Sequence, residues 1–163
     1  MIILGIDPGY AIVGYGVLEY SNNKFKVIEY GAITTDSKTD MFDRFKSIYD
    51  DICDVMERTK PDFMAIEELF FNSNQKTAIN VAQARGVILL AAMNCGIRIF
   101  EYTPLQVKQA VAGYGRADKK QVQQMVKLLL GLKEVPKPDD TADAVAIAIC
   151  HGHSYNPHGI ELK

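Results

Sequence analysis

Residues 2–7 read Ile-Ile-Leu-Gly-Ile-Asp, an apolar run closed by Pro8-Gly9. Apolar character at successive rather than alternate positions predicts a strand covered on both faces, and so one central in its sheet. Residues 12–19 and 25–34, rich in Val, Ile, Tyr and Gly and separated by Asn22-Asn23, predict two more strands. Turns this tight between three successive strands predict an antiparallel meander. From Met41 to Thr59 the period changes, with Phe42, Phe45, Ile48, Tyr49, Ile52 and Met56 at helical spacing, acids on the opposite face, and Pro61 as the stop. Residues 63–67 then form a short buried strand, which the preceding helix allows to run parallel to the first.

The spacing further predicts a long helix over 75–95, a strand over 97–102, a short helix over 104–112 and a loop at 113–115. A helix follows over 118–130, with Val122, Met125, Val126 and Leu129 inward and Lys120, Gln124 and Lys127 outward. After Pro136-Lys137-Pro138 a last helix, with Asp139 able to cap it, runs to about His151, and the polar tail from Ser154 is expected to fray. The order βββαβαβααα describes a single α/β domain over 1–163, a five-stranded mixed sheet flanked by helices. His151 and His153, at the end of that helix, read as partners of its dipole or as surface residues.

Composition adds boundaries. An apolar fraction of 48% and a charged fraction of 23% are those of a water-soluble globule. No apolar run reaches the ~20 residues of a membrane span, and the chain does not open on a basic segment followed by a cleavage site, so a cytoplasmic location is expected. Cys53, Cys95 and Cys150 are odd in number and lie in apolar or helical surroundings, which reads as buried free thiols in a reducing compartment. The net charge of −2 argues against a nucleic-acid partner until it is divided along the chain. Between Pro104 and Lys133 six bases (Lys108, Arg116, Lys119, Lys120, Lys127, Lys133) face one acid, Asp118, a local +5 that leaves −7 elsewhere. Two bound divalent ions would turn −2 into +2, a charge suited to a phosphate backbone.

Four acids carry the chemistry. Asp7 ends the first apolar run, Glu67 ends the fourth strand beside Glu68, and Asp140 and Asp143 open the last helix. Taken singly, Asp7 is compatible with a mere turn start, and Asp140 and Asp143 read as first-turn acids that favour the helix dipole. Yet Asp139, Asp140 and Asp143 are three acids in five positions where one cap suffices, and the i, i+3 spacing puts Asp140 and Asp143 on one face. A Glu at the end of a buried strand needs a partner, and no Lys or Arg adjoins Glu67 in sequence. Glu67 and Glu68 point to opposite faces, and alternation alone leaves open which one meets the pocket. Acids gathered at strand ends repel one another unless a cation sits among them, and Mg²⁺ for phosphate chemistry is the usual solution. Acids on first strand, fourth strand and last helix of such a sheet describe the ribonuclease H-like arrangement.

Over nearly its whole length the chain resembles the RuvC-type crossover junction endodeoxyribonucleases, the bacterial Holliday junction resolvases. The resemblance rests on Gly5-Ile6-Asp7-Pro8-Gly9, Ala65-Ile66-Glu67, Gln83-Ala84-Arg85-Gly86-Val87, Gln106-Val107-Lys108-Gln109 and Asp140-Thr141-Ala142-Asp143-Ala144, in that order. It implies catalytic, metal-holding carboxylates at Asp7, Glu67, Asp140 and Asp143, with two Mg²⁺ per site and Mn²⁺ as a substitute. Some relatives carry His where this chain has Asp140, so an all-carboxylate site is expected here. The resemblance assigns junction binding and catalytic support to Lys108 and Lys119, and base stacking at the opened crossover to Phe70. Lys120 and Arg116 extend the basic cluster, and Phe71 and Tyr114 are aromatic candidates for contact with bases. The long helix is apolar on more than one face after Arg85, and Gly86 permits close approach, so a homodimer is expected. The resemblance also implies a branch-migration motor of the RuvA and RuvB type as partner.

The resulting expectation is a Mg²⁺-dependent endonuclease that makes paired symmetric nicks in four-way DNA junctions, leaving 5′-phosphate and 3′-hydroxyl ends. Three rivals differ in class. A ribonuclease H-like nuclease acting on RNA or an RNA–DNA hybrid would use the same acids. An actin-like kinase or ATPase would share the first strand, but needs a second phosphate loop for which 163 residues leave no room. A non-catalytic DNA-binding module would not need Asp7.

Overall fold

The computed structural model describes residues 1–69 and 75–155. The elements follow the predicted order: β1 (Ile2–Asp7), β2 (Ile12–Ser21), β3 (Lys24–Thr34), α1 (Met41–Thr59), β4 (Phe63–Glu67), α2 (Gln75–Asn94), β5 (Arg98–Tyr102), α3 (Pro104–Ala112), α4 (Lys119–Leu129) and α5 (Asp139–Ser154). The sheet order is β3-β2-β1-β4-β5, antiparallel across the meander and parallel where β4 joins β1 and β5 joins β4. β1 is central, as its unbroken apolar run predicts.

Alternation along the strands sorts the core into two layers. Leu4, Ile6, Met64 and Ile66 face α1 and α2, where Ile48, Ile52, Ala84 and Ile88 complete one cluster. Ile3, Leu18 and Ala65 face α3, α4 and α5, where Val107, Val122, Val126, Val145 and Ile149 complete the other. α3 and α4 begin at capping boxes, Thr103 with Gln106 and Asp118 with Gln121, in which each helix-start side chain accepts from a backbone N–H and is answered in return.

α5 lies against the sheet backbone itself. A Cβ at Gly5 would stand 2.1 Å from the carbonyl oxygen of Ala144, and one at Gly14 would stand 2.0 Å from that of Asp140. Any side chain at these positions would lift the helix. The residues of α5 that pack here are correspondingly small, with Ala142, Ala144, Ala146 and Ala148 all buried. Thr141 is buried too and donates its hydroxyl to the Gly31 carbonyl at 2.9 Å, tying the helix to β3.

Four expectations are corrected. Asp139 does not cap α5: Pro138 occupies the cap position without a side-chain hydrogen bond, and Asp139 instead accepts from Gln123. Leu129 is exposed, because α4 ends there and Leu130 makes the apolar contact. Cys95 is exposed and Cys53 half-buried, leaving Cys150 as the buried thiol. His151 is neither a surface residue nor a dipole partner but fully buried, since α5 runs on to Ser154. Phe63, Phe100 and Tyr155 surround its ring, and Tyr102 Oη lies 2.8 Å from its Nδ1. Burial pushes its pKa down to about 4, so it is neutral at pH 7.

Overpacking a helix–sheet contact of this kind costs about 1–3 kcal/mol. Gly14→Ala is therefore expected to lower the unfolding free energy by that amount in urea titration, whereas a loss below about 0.5 kcal/mol would mean that the contact is looser than described.

Candidate active site

The register places the acids side by side. On β1, Asp7 has the parity of Ile3 and Gly5, and on β4 Glu67 has that of Ala65, so both belong to the α5 face. Parity therefore puts Glu67, and not its neighbour Glu68, on the face that carries α5. Ile6 pairs with Ile66 across the parallel strands, which brings Asp7 beside Glu67. On the other side Asp7 pairs with Gly14, the residue over which the Asp140 backbone lies. Asp143 follows one helical turn later, on the same face as Asp140.

Their mutual field is strong. Burial, then Glu67, Asp143 and Asp140 in that order, push the Asp7 carboxyl up to about 8, against a smaller opposing pull from Lys119. Glu67 is raised by burial and by Asp143. Burial raises Asp143 as well, although its hydrogen bond from Lys119 opposes the shift. Lys119 Nζ lies 2.8 Å from Asp143 Oδ2 and 3.5 Å from Asp139 Oδ2, so the ammonium is the local counterion and is itself held in its charged form by Asp143.

Two clamps hold the strand ends. At the β1–β2 turn, Thr35 Oγ1 donates to the Tyr10 carbonyl at 2.8 Å and accepts from Arg44 Nε at 2.9 Å. The buried guanidinium of Arg44 lies 3.7 Å from the centre of the Tyr10 ring. At the end of β4, Arg85 Nε donates to the Glu67 carbonyl at 3.2 Å while the same guanidinium pairs with Glu101. Neither clamp follows from spacing, since the partners are far apart in sequence; Arg85 was visible only as part of a motif.

A cleft of about 190 Å³ opens beside the acids, lined by Glu67, Asp143, Lys108, Lys119, Val107 and Val122. The structure thus brings both predicted lysines to the carboxylates. Arg116, Lys120 and Tyr114 are exposed on α4 and the loop before it, outside the lining of this cleft. Phe70 and Phe71 lie outside the described residues. The oxygen-only donor set suits a hard divalent cation. Among the described residues no three acid, His or Cys side chains already converge at chelating distance, so the set is charged and adjacent without being closed on a point.

A mixed sheet in this order, with acids at the ends of β1 and β4 and on a helix packed against them, defines a ribonuclease H-like nuclease. A family model for crossover junction endodeoxyribonuclease RuvC matches residues 3–151, and the chain belongs to that family. A protein of Halothermothrix orenii described as crossover junction endodeoxyribonuclease RuvC is 63% identical over 155 residues, covering 95% of this chain and 94% of its own. The Thermus thermophilus RuvC structure superposes with a TM-score of 0.88 at 37% identity, covering 94% of each chain. T. thermophilus RuvC in complex with a Holliday junction substrate gives a TM-score of 0.89 at 38% identity, over 94% of this chain and 93% of that one.

The raised Asp7 has a consequence for stability. Between the ordinary carboxylate pKa and about 8 the folded metal-free protein holds a proton on Asp7 that the unfolded chain does not, so stability falls as pH rises through that window. The buried His151 opposes this at lower pH, since the unfolded chain protonates it below its ordinary pKa of 6.5 and the folded chain does not. The metal-free unfolding midpoint is therefore expected to drop between pH 6.5 and pH 8. Asp7→Asn should flatten that slope and raise the midpoint at pH 8 by about 2–6 °C, the shift produced by ~1–2 kcal/mol in a domain of this size. A midpoint that rises toward pH 8 would contradict the repulsive site.

Proposed function

We propose that this chain resolves four-way DNA junctions by divalent-metal-dependent hydrolysis of phosphodiester bonds, with Asp7, Glu67, Asp140 and Asp143 as its catalytic and metal-holding carboxylates. The observation that carries the reading is the half-buried Asp7, raised by desolvation and then by Glu67 on the adjacent strand and Asp143 and Asp140 on α5. Such a group is tolerable in a protein that works with cations bound beside it. Two Mg²⁺ per site, replaceable by Mn²⁺, suit four carboxylates with no thiol or imidazole among them. Bound there, a divalent ion supplies the Lewis acidity that activates water and stabilises the departing oxygen.

The chain's own residues divide the remaining work. Asp7 stands between Glu67 on the neighbouring strand and Asp140 on the helix. Lys108 and Lys119 bring positive charge to the wall of the same cleft, where a phosphate backbone would lie. Arg116 and Lys120 extend that charge, and Tyr114, 47% exposed between two glycines, offers a ring to a base. Phe70 and Phe71 are proposed for the same role at the crossover. The products are 5′-phosphate and 3′-hydroxyl ends, made by paired symmetric nicks in recombination and repair.

Paired nicks need two sites related by symmetry, hence a homodimer. Ile79, Leu90 and Met93 are more than half exposed and fall with Gly86 on one stripe of α2, a surface fit for self-association. A branch-migration motor of the RuvA and RuvB type is the proposed partner, and the cytoplasm the proposed location. No described helix is long and apolar enough to cross a membrane.

A synthetic four-way junction, a matched duplex and an RNA–DNA hybrid, each incubated with the protein in Mg²⁺ or in EDTA, test the reading. Symmetric nicks confined to the junction and dependent on Mg²⁺ are expected, with Asp7→Asn binding the junction normally but cutting at least 10²-fold more slowly. Cutting of the hybrid instead would identify an RNA-directed relative. Lys108→Ala should weaken binding and reduce the slope of log K against log salt by about 1, while Asp7→Asn leaves that slope unchanged. An unchanged slope in Lys108→Ala would remove that lysine from the DNA-binding surface.

A further inference from the structure

The thiols of Cys53 and Cys95, 42 positions apart in the chain, meet in one groove. Cys53 sits on α1, its side chain against the core formed with α2. Cys95 follows α2 directly, its N–H still bonded to the Ala91 carbonyl at 3.1 Å, and the chain turns away at Gly96, where φ is +71°. The groove between them, about 450 Å³, is lined also by Met56, Glu57 and Ile97. One helical turn before Cys53, the Tyr49 hydroxyl accepts a 2.9 Å hydrogen bond from Asn94 Nδ2, the neighbour of Cys95. The two segments are therefore tied together at the place where the thiols face each other. The groups facing the Cys53 thiol are the Cys95 thiol, the Tyr49 hydroxyl and the Asp50 carboxylate. Among the described residues no third ligand joins them, so the pair is not a metal site.

We propose that Cys53 and Cys95 form a redox pair that closes reversibly to an intramolecular disulfide between α1 and the end of α2. The chemistry needs a two-electron oxidant, here a hydroperoxide. The exposed Cys95, as thiolate, attacks the peroxide oxygen; the O–O bond breaks, releasing hydroxide, and Cys95 becomes a sulfenic acid. Cys53 then attacks that sulfur, the S–O bond breaks, and water leaves as the S–S bond forms. Two thiols and one hydrogen peroxide become one disulfide and two waters. Burial and the neighbouring Cys95 hold the Cys53 thiol above its ordinary range, so closure accelerates as pH rises.

The pair sits at the end of the sheet away from the carboxylates, next to Lys60, Pro61 and Ile97, which precede β4 and β5. Closure therefore tethers the α1–α2 layer without touching the cleft that holds Lys108 and Lys119. It also traps an oxidised Cys95 before it proceeds to the irreversible sulfinic acid. Cys150, fully buried on α5, takes no part.

The protein is treated with a small excess of hydrogen peroxide at pH 8, denatured, alkylated and weighed, then digested without reduction. The expected result is a loss of about 2 Da with one alkylatable thiol remaining out of three, a peptide joining Cys53 to Cys95, and full reversal by dithiothreitol. The oxidised protein should melt several degrees above its reduced form and keep its nuclease activity. Cys95→Ser, at an exposed position, should leave Cys53 reduced, and Cys53→Ser should let Cys95 gain about 16 Da per oxygen. Accumulation of sulfinic acid on Cys95 in the unsubstituted protein while Cys53 stays alkylatable would overturn the proposal, as would a disulfide between two chains.

Discussion

The contact on which this molecule turns is backbone against backbone, the first turns of α5 resting on β1 and β2 where Gly5 and Gly14 have no side chains. Because Gly14 is the register partner of Asp7, the helix that rests on it delivers Asp140 to Asp7. The parallel pairing of β1 with β4 then brings Glu67 to the other side. A methyl group inserted at either glycine would have to move the whole helix, since its interior neighbours are close-packed and relax little. Fold stability and site geometry are set at the same atoms.

That arrangement creates a conflict which charge alone does not resolve. Four acids share a partly buried space, and among the described residues the lysine ion-paired at that site, Lys119, is shared between Asp143 and Asp139. One ammonium cannot neutralise the set, so Asp7 is left holding a proton up to about pH 8. The protein accepts a locally unstable site, and the cost is offset by the apolar layers on both faces of the sheet. Mutual repulsion of this kind, among acids on β1, β4 and α5, is what the cation binding proposed for this site would relieve.

Much of this is legible in the sequence, because it is written in short-range patterns. The strands show as apolar runs stopped by Pro8-Gly9 and Asn22-Asn23, and the helices as changes of period, so the sheet and its flanking layers follow. The acids were nameable by order along the chain, although the choice of Glu67 over Glu68 needed the family motif there and the parity of Ala65 here. What stayed hidden depends on contacts between distant segments. Nothing local to His151 announces that Phe63, Phe100, Tyr102 and Tyr155 enclose it. Asp139 reads as a cap in the sequence, yet Pro138 takes that position and Asp139 is engaged by Gln123 and Lys119 of α4. Arg85 and Arg44 reach strand ends that sequence distance conceals. Cys95 is exposed because the turn at Gly96 ends the helix before that residue can be covered.

The central claim is that the four carboxylates are one cation site, and the most direct measurement is anomalous diffraction from crystals grown with Mn²⁺. The account predicts manganese peaks bounded by Asp7, Glu67, Asp140 and Asp143, lost in Asp7→Asn crystals grown in the same solution. An empty space among the four acids at saturating Mn²⁺, with the Lys119–Asp143 pair intact, would contradict it.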